Sequence, residues 1–147
     1  MAHGTHGPIA RQLGDAAVLL VFDGHCGVCA RFADWVARRD RAGRVRLLPS
    51  QTPGLIEALG LTRAEVDHEA WAFDRAGRAF AGAAAVNLTL RALGGLPGIL
   101  GRAYALPGLR RCEDAGYHWF ARHRAAFARW GAIPACDRPG VACIEES

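Results

Sequence analysis

The chain has 147 residues, 51% hydrophobic and 22% charged, the balance of an ordinary soluble globular protein with length enough for one domain and its core. Its net charge of +4 rests on scattered arginines without a single lysine, and no basic run is interleaved with aromatics, which argues against nucleic-acid binding. The longest apolar stretches are broken by Arg91 and Arg102, short of the ~18 residues that a membrane span needs.

Residues 1–14, with His3, Gly4, His6, Gly7 and Pro8, read as a disordered lead, and residues 15–147 as a single domain. The apolar segment 16–22 is too short and wrongly flanked for the core of a signal peptide. The expected compartment is therefore a reducing cytoplasm, where cysteines are more often catalytic, metal-binding or simply buried than structurally paired.

Val18-Leu19-Leu20-Val21-Phe22 is apolar without alternation, the pattern of a central strand covered on both faces. Asp23-Gly24 ends it with turn chemistry. A helix follows from about 26 to 39, with Val28, Phe32, Trp35 and Val36 on one arc and Arg31, Asp34 and Arg38 opposite. Cys29 falls at the edge of the apolar arc, whereas Cys26 points away from it in the first turn.

Residues 40–44 form a polar turn, and Val45-Arg46-Leu47-Leu48 reads as a second strand. Thr52-Pro53 predicts a capped helix start, with the helix stopping at Gly60. Thr62 and Glu65 have capping-box spacing. Segments 69–73 and 78–81 flank Asp74-Arg75-Ala76-Gly77 as a hairpin. Helices are expected over 83–93, 97–104 and from Pro107 to about Trp130, the last with Leu109, Cys112, Gly116, Trp119, Phe120, His123 and Phe127 on one stripe. On that stripe Cys112 reads as a small buried hydrophobe and His123 as a core histidine, while Trp119 and Trp130 fit core or seam packing. An irregular tail with Cys136 and Cys143 follows. The order β-α-β-α-β-β-α is that of a thioredoxin-like α/β fold with a mixed sheet, extended by C-terminal helices over about 96–130.

The chemistry concentrates in Cys26 and Cys29. A thiolate, not a thiol, attacks a disulfide, and the N–H groups and positive dipole end of a helix N-terminus favour an anion there. Cys26 is so placed and is expected to be the nucleophile; Cys29, one turn in, would resolve the mixed disulfide. Asp23 has two readings, a proton shuttle for Cys29 or a turn residue satisfying backbone N–H groups. His25 adds positive charge if protonated and otherwise tunes the potential from an exposed loop. Gly27-Val28 lacks the proline that reducing thioredoxins carry between their cysteines.

Competing readings are two inert buried cysteines, a thioredoxin-like scaffold whose aromatic C-terminal helix docks a partner, and a structural zinc site. In the zinc reading Cys26 and Cys29 supply half a tetrahedron, completed by Cys136, Cys143 or a histidine. For Cys136 and Cys143 three fates stand open: free thiols, a mutual disulfide, or exchange with the first pair.

The segment VFDGHCGVCARFADWVARRD followed by RVRLLPSQ resembles the DCC family, whose signature Asp-x-x-Cys-x-x-Cys falls on Asp23, Cys26 and Cys29. The resemblance continues through WAFDRAGRAFAG and through GYHWFARHR, where Tyr117, Trp119, Phe120 and Arg124 match an aromatic–basic string, and reaches Cys136 in PACDRP. It implies a thioredoxin-like fold and thiol–disulfide oxidoreductase activity on a protein or small-molecule disulfide or thiol, with no bound cofactor and with electrons supplied by another thiol. One departure from thioredoxins is plain. No proline precedes the expected strand at Trp71, where a cis-proline would face the cysteines.

Overall fold

The computed structural model describes residues 7–124, 126–127 and 131–144. Its centre is strand β1 (Val18–Phe22), buried at every position. β1 pairs in parallel with β2 (Val45–Pro49) and antiparallel with β3 (Trp71–Asp74), which pairs antiparallel with β4 (Ala79–Ala81). The sheet order β2-β1-β3-β4 makes it mixed.

The apolar run resolves into two faces because successive side chains of a strand point to opposite sides. Leu19 and Val21 join Leu13, Leu55, Leu59 and Phe73 on one face. Val18 and Leu20 join Val36, Val45, Ala72 and Ala85 on the other. Val36 comes from α2 (Gly27–Arg39) and Ala85 from α5 (Ala83–Leu93). Leu55 and Leu59 come from α3 (Leu55–Leu59). A mixed sheet with helices on both faces fits the expected thioredoxin-like fold.

Several boundaries differ from expectation. Residues 8–13, placed in a disordered lead, form helix α1 (Pro8–Leu13), with proline in the first turn and Leu13 only 2% exposed. Ile9 and Leu13, one turn apart, give that short segment an apolar edge that the sheet covers. The helix expected at Thr52-Pro53 begins later, because Thr52 Oγ1 donates to the Pro49 carbonyl at 2.7 Å rather than capping. Gly54, in the left-handed region at φ 74°, supplies the N-cap of α3 instead. The capping box of Thr62 and Glu65 is complete at the start of α4 (Arg63–His68).

The largest differences lie in the C-terminal helices, α6 (Gly95–Ala103) and α7 (Pro107–Arg122). Most of the expected apolar stripe of α7 faces outward: Trp119 is 51% exposed, and Cys112 and His123 are exposed too, while Phe120 turns inward. The face turned to the domain carries Glu113, Tyr117 and, beyond the helix end, Arg124. Glu113 accepts a hydrogen bond from Asn87 Nδ2 at 2.7 Å, and the Tyr117 hydroxyl accepts one from the Ala70 N–H at 2.8 Å. Polar anchors and the ring of Phe120, rather than a continuous apolar seam, therefore set how this helix docks. It ends short of the expected limit because the His123 ring Nδ1 stands 2.7 Å from the Trp119 carbonyl, where the next turn would donate. Trp130 lies outside the described residues. Among those residues, no helix is long and apolar enough to cross a membrane.

Candidate active site

β1 delivers the chain to Asp23 at the edge of the sheet. Asp23 Oδ1 accepts the His25 N–H at 2.9 Å and Gln51 Nε2 at 3.0 Å, which closes the turn into α2. Gln51, just past β2 and fully buried, also accepts the Gly24 N–H at 2.8 Å. The loop before the helix is thus held from both sides.

Cys26 is the N-cap of α2, and its Sγ accepts the Cys29 N–H at 3.2 Å. A serine-like capping position has been given to sulfur, so an otherwise orphaned helix donor points at the Cys26 sulfur. Both cysteines are half-buried, and Cys29 packs beside Phe22, Ala33 and Ala135. Behind Cys29 opens a cavity of about 250 Å³, largely apolar, walled by Phe32, Val66, Val86, Tyr117 and Phe120, with Asp23 and Arg124 on its lining.

Arg124 reaches this point from the far end of the chain. Its Nη1 lies 3.5 Å from Asp23 Oδ2, and its Nη2 donates to the Asp67 carbonyl at 2.7 Å. The ion pair is shielded, its side chains 24% and 19% exposed.

The thiol of Cys26 is pulled down to about 6. The chief cause is the hydrogen bond that Cys29 Sγ–H gives its sulfur, assisted by the Cys29 N–H and the Arg124 charge; burial and the Asp23 carboxylate oppose it. Cys29 is pushed far up, first by donating that same bond and then by burial and the negative charge on Cys26, with Arg124 offsetting part. The two sulfurs are therefore unlike at neutral pH, one a thiolate and one a thiol. Burial, with the neighbouring Glu69 charge, pushes Tyr117 up to about 12, so its hydroxyl stays neutral.

A family described as DCC1-like thiol-disulfide oxidoreductase matches residues 20–130. The chain belongs to that family. No curated protein and no solved structure matches it. The stretch matched to the DCC1-like family contains Asp23, Cys26, Cys29, Gln51, Tyr117 and Arg124, and stops before the tail.

Of the residues expected at the site, Cys26, Cys29 and Asp23 are brought together. Gln51 and Arg124 were not expected to act there. Their sole trace in the sequence is membership of the strings RVRLLPSQ and GYHWFARHR, which says nothing of what they touch. Where the cis-proline of thioredoxins was found missing, Ala70 precedes β3 and its N–H is taken by Tyr117.

The tail is also part of this region. Cys136 and Cys143 are joined as a disulfide, so neither is available to complete a zinc tetrahedron with the first pair. Among the described residues, no cluster of three His, Cys, Asp or Glu side chains is placed to hold a metal ion. The tail crosses the motif itself: the Ala132 N–H donates to the Gly27 carbonyl at 2.9 Å and the Cys136 N–H to the Gly24 carbonyl at 3.0 Å.

Proposed function

We propose that this protein is a dithiol oxidoreductase in which Cys26 attacks a disulfide and Cys29 resolves the product. The observation that carries the reading is the Cys26 sulfur at the N-cap of α2, holding hydrogen bonds from the Cys29 N–H and thiol. The Cys26 thiolate attacks one sulfur of the substrate, an S–S bond forms, and the displaced sulfur leaves as a thiolate that takes a proton. Forming the mixed disulfide removes the charge on Cys26. It also removes the acceptor that held the Cys29 proton, so two of the three causes that raise Cys29 vanish while Arg124 remains. Cys29 is thus released for attack only after Cys26 is spent. Asp23, on the wall of the same cavity, takes its proton through solvent. Cys29 then bonds Cys26 and frees the second substrate thiol. Two electrons have passed from the protein dithiol to the substrate, and the reverse sequence oxidises a dithiol.

The substrate is a protein or small-molecule disulfide or thiol, with electrons supplied by a second thiol, and we assign the protein to the cytoplasm on its cysteine usage. The test is trapping. In a background with Cys136→Ser and Cys143→Ser, so that no tail sulfur competes, Cys29→Ser is expected to hold a substrate disulfide covalently on Cys26, whereas Cys26→Ser traps none. Equal trapping by both variants would refute the division of roles.

A further inference from the structure

The tail disulfide sits against the loop that carries Cys26. Five contacts fix it there. The Ala132 and Cys136 N–H groups bond the carbonyls of Gly27 and Gly24, on either side of Cys26. The Ile144 N–H donates to the Gln51 carbonyl at 2.8 Å. Arg138 grips Asp34 of α2 with two bonds of 2.8 and 2.9 Å. Ala135, 7% exposed, packs in the same cluster as Cys29.

The sulfur itself is close to the motif. A Cβ placed on Gly24 would collide with Cys136 Sγ, and that Sγ lies 3.8 Å from Gln51 Oε1, which in turn holds the Gly24 N–H. Glycines at 24, 27 and 131 leave the space through which tail and motif touch. Cys136 and Cys143 are half-buried. A bond serving only to tie the tail would be made by Arg138, Ile144 and the two backbone contacts already. In the cytoplasm assigned above, moreover, disulfides are usually catalytic or redox-sensing rather than structural.

We propose that Cys136–Cys143 is a second redox pair that exchanges with Cys26 and Cys29, so that electrons pass between the two pairs within one chain. The step rests on Cys26 being the nucleophile. Its thiolate attacks Cys136 Sγ, the Cys136–Cys143 bond breaks, and Cys143 leaves as a thiolate and takes a proton. Cys29 then loses its proton, bonds Cys26 and releases Cys136, which is protonated in turn. The first pair ends oxidised and the tail pair reduced, with no outside oxidant. The reduced tail pair is then open to a disulfide from solution. The family match spans residues 20–130 and so does not itself include the tail pair.

The test is a full-length variant that keeps only two sulfurs of the four, Cys29→Ser with Cys143→Ser, and removes the exposed Cys112 as Cys112→Ala. Mild oxidation is expected to give a monomer in which peptide mass mapping finds Cys26 bonded to Cys136, at a rate independent of protein concentration. A product that is only a disulfide-linked dimer, or a monomer with both thiols free, would overturn the relay and leave the tail disulfide as a clasp. The same variant is also challenged with an aromatic disulfide that reports released thiolate. Reaction mapped by mass to Cys26, without a Cys26–Cys136 bond, refutes the relay and leaves the proposed function standing. No reaction at either refutes both. Made alone, Cys29→Ser is expected to bond Cys26 to Cys136 and so expose Cys143 to alkylation, whereas a tail disulfide untouched between pH 5 and 8 in that variant and no bond in the first would count against exchange.

Discussion

Cys26 owes its charge to donors that come from different distances along the chain. The N–H and thiol of Cys29 are three residues away and come with any helix that starts at Cys26. Arg124 arrives from across 101 residues of sequence to Asp23 and adds a positive charge that the local motif lacks. The consequence is a thiolate at neutral pH. Alkylation of Cys26 in the reduced protein is expected to rise with a midpoint near pH 6, followed by mass spectrometry of the labelled site. Arg124→Gln removes one of the smaller causes. It is expected to move the midpoint up by about half a unit, which lowers the rate at pH 6 about twofold. A midpoint unmoved by the substitution would show that Arg124 serves only the Asp23 and Asp67 contacts. Asp23 itself was readable in sequence as a turn residue or a proton carrier. The structure shows the turn contact, through the His25 N–H, which the proton role proposed above can accompany, and adds the ion pair to Arg124 that neither reading contained.

Among the elements, α2 was the most legible, because its cap, its arc of apolar residues and its basic last turn are all local signals. α7 was the least legible. A periodic stripe of Leu109, Cys112, Trp119 and His123 suggested the buried face, but the helix docks through the hydrogen bonds of Glu113 and Tyr117. Periodicity finds the apolar side of a helix, and it finds the packed side only where packing is apolar. The join between α2 and the tail was invisible for another reason: apart from the Arg138–Asp34 pair, it is made by backbone and by the absence of side chains. A Cβ on Gly27 would stand 2.8 Å from the Ala132 carbonyl oxygen, and a Cβ on Gly131 would strike Gly27 and Val28. Gly27→Ala is therefore expected to push the tail off the motif at a cost of about 1–3 kcal/mol. Denaturant melts would read that cost. Limited proteolysis of the tail and faster alkylation of Cys26 would show where the strain is relieved. A variant as stable as the parent, with the tail equally protected, would mean that the two segments do not touch this way.

At the scale of the molecule, β1 is the axis on which everything else is hung. Its two faces are covered by different helices, and its end aims Asp23 and the dithiol out of the sheet. The charge at that end is linked to folding as a whole. A thiol ordinarily at 9.0 and held at about 6 binds its proton more weakly in the folded chain than in the open one. Its contribution to stability is therefore absent below pH 6, grows between 6 and 9, and is complete above that. Chemical denaturation of the reduced protein at pH 5.5 and 8.5 is expected to show a larger gap between wild type and Cys26→Ser at the higher pH. A gap that does not change with pH would mean that Cys26 stays protonated in the fold.

By itself, the sequence determined the strand Val18–Phe22, the capping box at Thr62, the hairpin around Asp74 and the pair of cysteines at a helix start. Each of these is decided by residues within a turn or two of one another, where propensity and hydrogen-bonding reach suffice. Only the tertiary structure decided that Arg124 and Gln51 meet Asp23, that Tyr117 caps the N–H of Ala70, and that the tail disulfide lies on the loop before Cys26. Those contacts join residues far apart along the chain. They form because the sheet and its helices bring the segments together, and no local pattern of residues encodes a partner that the rest of the fold must deliver.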